Sequence, residues 1–229
     1  MRVPIRVAAG AWALAWVVGG VVLNGAVLAA MGADLESLTI TEIAVSSAMM
    51  WAAFAVALVV VSRRHGSGDL LVDYRVAVRP VDLFAIPAGV AAQLALIPAL
   101  YWPLQQIWPD TFSNDELAQR AEDLVGRASG GQVVLLVLVV AVGAPLFEEL
   151  VYRGLIQRSL SAGLGPWAGL LVAAAWFSLI HLAPVEYVGL FAAGLVFGLG
   201  LLLTDRLGPA VLAHMAFNVT GLVLAFRAG

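Results

Sequence analysis

Seven long apolar stretches, at approximately 7–31, 42–61, 82–104, 131–150, 166–184, 186–204 and 208–226, leave this chain few ways to fold. Each is close to the roughly 20 apolar residues that a helix needs to cross the hydrocarbon of a bilayer. None alternates in the manner of a strand, and an open sheet cannot satisfy its backbone in lipid. The chain is 62% hydrophobic and only 12% charged over 229 residues, whereas a soluble domain carries about 25% charged residues. A globule of this size cannot hide so much apolar surface. The expected fold is therefore all-α: a polytopic membrane helix bundle of about seven transmembrane helices, with its polar site in the C-terminal half.

Charge and cysteine content remove several function classes. The net charge is −3, and the basic residues are all arginines, scattered rather than gathered into the stripe that nucleic acid requires. The absence of cysteine excludes disulfides, thiolate catalysis and cysteine-ligated metals. The first stretch far exceeds a signal-peptide core, so it reads as a retained helix. Arg2, Arg6, Arg63, Arg64, Arg75, Arg79, Arg153, Arg158 and Arg206 fall on one side of the predicted spans, against Arg120, Arg127 and Arg227 on the other. By the positive-inside rule the N-terminus is cytoplasmic and the C-terminus outside. The acidic segment from Pro109 to Gly130 reads as a surface helix beginning at Ser113, with Glu116 three residues on as in a capping box. Pro87, Pro98 and Pro103 predict a kinked or broken third span. The Gly165/Gly169 and Gly194/Gly198 pairs permit close helix packing.

An ionisable side chain inside a span costs about 2.5–3.5 kcal/mol, and the C-terminal half accepts several. The fourth stretch runs into Glu148-Glu149-Leu-Val-Tyr-Arg153, the fifth contains Phe177-Ser-Leu-Ile-His181, and the seventh contains His214-Met-Ala-Phe-Asn218. Glu149 and Arg153, four apart, share a helix face and can pair. Glu148 is turned about 100° from Glu149, which frees its carboxylate for general-base chemistry. His214 and Asn218, also four apart, project together. Phe177 lies one turn from His181 and can pack on that ring or line a substrate cleft. Asn24 and Gln93 read as packing groups, Glu186 and Asp205 as span ends, and His65 as a solvated loop residue.

Pro145-Leu-Phe-Glu148-Glu149-Leu-Val-Tyr152-Arg153-Gly154 resembles the EExxxR signature of the CAAX protease and bacteriocin-processing (CPBP, or Abi) family of intramembrane endopeptidases. Phe177 to His181 is similar to its FxxxH motif, and His214 to Asn218 to its HxxxN motif. The resemblance covers residues 131–229 as a catalytic core. Residues 1–130, the N-terminal helices and acidic outer loop, carry no signature. The resemblance implies a peptide hydrolase of the CAAX-protease type, acting on a peptide or protein substrate at the lipid bilayer. In it Glu148 activates water that His181 helps to hold, His214 and Asn218 stabilise the oxyanion, and Glu149 and Arg153 support them. No cofactor is expected. Zn²⁺ is the alternative, since one glutamate and two histidines (Glu148, His181, His214) make a sufficient ligand set. Against it, the sequence has no HExxH, and a metal-bound Glu148 could not also be the base. The all-arginine basic set and the Ala, Val, Gly and Leu richness point to a bacterial plasma membrane. Two rival readings are a non-catalytic immunity or scaffold protein, which loss of Glu148 or His181 would have favoured, and a proton-coupled transporter. The latter lacks the paired broken helices expected of it.

Overall fold

The computed structural model describes residues 3–228, 83% helical and without strands among them; Arg2 lies outside the described residues. The longer helices are α1 (Ile5–Met31), α2 (Ile40–His65), α3 (Pro80–Ile107), α4 (Asn114–Gly126), α5 (Gly131–Leu164), α6 (Pro166–Leu179), α7 (Pro184–Thr204) and α8 (Gly208–Ala228). All seven apolar stretches form helices, the fifth only as far as Leu179. Six of these helices are long and apolar enough to cross a membrane, and α6 is a shorter apolar helix. The chain is an integral membrane helix bundle.

Contacts sort the helix ends into two groups. The Ser159 hydroxyl donates to the carbonyl of Val3, and Gly163 lies against Ile5. At this same end the 66–79 loop meets the α7–α8 turn, where the N–H groups of Leu207 and Gly208 donate to the carbonyls of Arg75 and Ala77. At the opposite end the Tyr101 hydroxyl donates to the carbonyl of Val185, and Arg120 pairs with Glu186. Short as it is, α6 joins the two ends: it runs antiparallel to α7, with Ala174 against Gly194 and Leu170 against Gly198. Arg6, Arg63, Arg64, Arg75, Arg79, Arg158 and Arg206 belong to the first end, and Arg120, Arg127 and Arg227 to the second. Arg153 does not belong to this count. Helix α5 continues past the predicted edge at 150 to Leu164, which carries Arg153 into the bundle, 1% exposed.

Prolines are absorbed rather than breaking their helices. A proline lacks an N–H and clashes with the carbonyl four residues before it. For Pro98 and Pro145 those carbonyls belong to Leu94 and Ala141, and both lie in wide i→i+5 turns, Ala92–Leu96 and Leu138–Gly143. The third span is thus one continuous helix from Pro80 to Ile107 rather than a broken one. A further wide segment, Glu149–Gln157, carries the ionisable signature itself. Where helices touch, glycine removes the obstacle. A Cβ at Gly89 would come within 2.0 Å of the Ala213 carbonyl oxygen, so α3 and α8 meet at backbone distance. At Gly169 it would meet Ser161, the close approach expected of the first glycine pair.

The surface helix α4 begins where expected, with the Ser113 hydroxyl accepting from the Glu116 N–H at 3.1 Å. Arg127 donates to the Leu38 carbonyl and so ties α4 to the α1–α2 loop.

Candidate active site

The wide segment of α5 displays its two glutamates differently. Glu149 points into the bundle and is fully buried. One of its oxygens lies 3.1 Å from the Arg153 Nε, the other 2.8 Å from the His214 Nδ1. The Arg153 guanidinium lies 4.6 Å from the Phe177 ring centroid and 5.5 Å from that of Phe197, and its Nη2 donates to the Gly194 carbonyl. One turn on, Gln157 donates to the carbonyl of Gly198. The second glycine pair therefore does more than permit packing: its carbonyls receive the polar side chains of α5.

Glu148 faces the other way, with its side chain 27% exposed, into a cavity of about 220 Å³. His181 lies on the same cavity. Among the described residues the nearest charge partner of Glu148 is His214, whose Nε2 is 3.8 Å from the Glu148 Oε2, beyond hydrogen-bond reach but within reach of a bridging water. The tautomers follow from the partners. A carboxylate only accepts, so the His214 Nδ1 carries a hydrogen toward Glu149 and leaves Nε2 toward Glu148. A carbonyl also only accepts, so the His181 Nδ1 donates to Phe177 at 2.7 Å, and its Nε2 has no hydrogen-bond partner among the described residues.

Phe177 is the hub of this arrangement. Its buried ring meets Tyr152, His181 and His214 edge-on, at centroid distances of 5.3, 4.8 and 5.8 Å. It packs the site and does not line the cavity. His181 lies beyond α6 rather than within it. The helix stops at Leu179, and Leu182 takes a positive φ of 52°, so the imidazole sits on a turn at the helix end. Asn218 reaches the same helix as His214, but its amide donates to the Val140 carbonyl at 2.8 Å. In an i→i+5 turn the donor to Val140 would be residue 145, a proline with no N–H, so the amide supplies the missing bond.

Depth along the helices is similar for Glu148 and His181. At 1.5 Å per residue, Glu148 lies about 24 Å from Leu164 and His181 about 22 Å from Pro166. Both are near or beyond the middle of a core about 30 Å thick, measured from the arginine-rich end. His214, about 9 Å from Gly208, still reaches the two glutamates, because α8 starts buried beneath the 75–82 segment.

The N-terminal half carries no motif, yet Trp16 of α1 and Met50, Trp51 and Phe54 of α2 form the apolar side of the cavity. Tyr152 completes it, and its hydroxyl accepts from the Trp12 indole at 3.3 Å. The available signal was the spacing of these bulky residues, Trp12 and Trp16 four apart and Met50 and Phe54 four apart. Among the described residues no three His, Asp or Glu side chains are grouped to hold a metal ion.

Residues 130–220 match the family model described as type II CAAX prenyl endopeptidase, Rce1-like, a protease family. The matched stretch contains all three motifs and every site residue named from them. The resemblance to the CAAX protease family is borne out over that stretch. Neither the curated proteins nor the solved structures yield a match to this chain.

Proposed function

We propose that the chain is an intramembrane endopeptidase that hydrolyses a peptide bond of a membrane-embedded or membrane-bound substrate with water activated by Glu148. The observation that carries this reading is the unequal pair of glutamates. Glu149 is held by Arg153 and His214, whereas Glu148 opens on a cavity shared with His181. Glu148 takes a proton from a water that the His181 Nε2 helps to hold. The resulting hydroxide attacks the carbonyl carbon, and the carbon–oxygen bond forms as the carbonyl becomes an oxyanion. Collapse breaks the carbon–nitrogen bond, and the proton held by Glu148 passes to the leaving amine. The second N–H of the Asn218 amide donates to the oxyanion, and Glu149 holds in place the His214 ring, whose Nε2 faces Glu148. Phe177 and Arg153 fix the geometry of these groups.

The reaction needs no metal in this reading, since the carboxylate that would bind one is the base. The matched family's name concerns prenylated CAAX peptides; the reaction class, rather than that particular peptide, is what carries over to this chain. The arginine-rich end faces the cytoplasm of a bacterial plasma membrane, with the N-terminus inside and the C-terminus outside. The test is hydrolysis by the purified full-length protein of a pool of membrane peptides in ¹⁸O-labelled water. The expected result is new C-termini that each carry one labelled oxygen. Absence of any new terminus would sink the proposal.

A further inference from the structure

The cavity beside Glu148 has two chemically distinct sides. Its polar side belongs to α5 and the turn after α6, within the matched residues; its apolar side belongs to α1 and α2, outside them. Trp51 is the best-fixed member of the apolar side. Its ring lies 5.0 Å from that of Phe147 at an interplanar angle of 4°, a stacked pair. Beneath it is Gly143, where a Cβ would come within 2.2 Å of the indole. Gly143 and Phe147 are four apart on α5, and Glu148 follows Phe147 directly. The indole is therefore seated on the same helix that carries the proposed base, so the distance from wall to carboxylate is built in.

We infer that Trp51 is a specificity-determining residue, the wall that sets the size of the apolar substrate side chain received next to the bond to be cleaved. The inference rests on the protease reading for its link to cleavage, while the wall itself stands on the cavity. A volume of about 220 Å³ is below the roughly 300–1,000 Å³ of pockets that hold drug-sized ligands. It takes one large side chain rather than a folded segment. Trp16, Met50, Trp51 and Phe54 offer that side chain no charge. The carboxylate at the other side disfavours an acidic one, because like charges repel in a low-dielectric site.

The test uses a membrane-spanning peptide series with a single central guest residue, Ala, Leu, Phe or Trp. Binding to the full-length protein in detergent is measured by competition against the fluorescein-labelled Leu peptide. The Glu148→Gln protein is the background, with and without Trp51→Ala or Trp51→Phe. Turnover of the same series is measured with Glu148 present. Truncating the wall should raise the preference for Trp over Leu by about tenfold, within the range that pocket contacts of this kind provide. Trp51→Phe should give a smaller shift in the same direction and carries the test should Trp51→Ala fail to fold. An unchanged order and ratio of peptide binding in the Trp51 variants overturns the inference, whatever the turnover shows. A shifted binding ratio without hydrolysis by the parent protein upholds the wall and removes the protease reading instead.

Discussion

Replacing Glu149 by glutamine separates the two glutamates by their consequences for stability. Glu149 is fully buried and its two oxygens face Arg153 and His214, so the substitution leaves a guanidinium with 2% side-chain exposure without its counter-charge. Removing one partner of a buried ion pair costs about 3–5 kcal/mol. Glutamine preserves the volume and one oxygen that can still accept from the His214 Nδ1. The π contacts to Phe177 and Phe197 also remain, so the lower end, about 3 kcal/mol, applies. For a chain of this size 1 kcal/mol moves the melting temperature by about 2–4 °C, and the expected loss is about 6–12 °C. Glu148→Gln is the internal control. Its partly exposed side chain has no ion-pair partner nearer than 3.8 Å, and its stability should stay within about 0.5 kcal/mol of the parent. The assay is thermal unfolding of the three proteins in one detergent at one scan rate. A Glu149→Gln protein as stable as the parent would refute the buried-pair argument.

Three other outcomes are expected. Burial raises the Asp73 carboxyl, but hydrogen bonds from Ser62, Ser67 and Gly68 outweigh it and hold the group below its ordinary 3.8. The folded pKa lies below the unfolded one, so this contribution is present above about pH 4 and is lost as pH falls through the folded value. Melting temperatures across that range should fall more steeply for the parent than for Asp73→Asn; parallel curves would contradict the assignment. Exhaustive chelation should leave turnover unchanged, and metal analysis should find less than one equivalent; activity lost on chelation and restored by zinc would overturn the metal-free mechanism. A reporter that is active only in the cytoplasm should be inactive when fused after Gly229 and active when fused in the 66–79 loop. The reverse pattern would invert the proposed orientation.

Much of this was legible because lipid imposes a simple rule: apolar runs become helices, and charges inside them need partners. The Glu149–Arg153 pair followed from four-residue spacing, which holds in the wide turn as well as in an α-helix. The third partner, His214, did not follow, because it comes from a helix 65 residues away and nothing local encodes which oxygen it meets. The sequence reads as helical through His181, since the residues around it are apolar enough to continue α6. The turn there appears in the positive φ of Leu182, a residue whose type gives no warning of it. Asn218 looked like a partner of His214 by spacing alone. Its bond to Val140 depends on a donor missing at Pro145, which only the wide turn makes visible. Arg153 was counted with the loop arginines because the apolar run ends before it, yet its aromatic and carbonyl partners hold it inside.

The most direct test of the account is turnover by the parent and Glu148→Gln proteins, purified in the same detergent and matched in melting temperature, on one defined membrane peptide. Glutamine fills the space of Glu148 but cannot take a proton from water, so hydrolysis should fall to background while the peptide still binds. Retention of parental turnover by Glu148→Gln, with Glu149→Gln folded yet inactive, would reverse the roles of the two glutamates and contradict the mechanism.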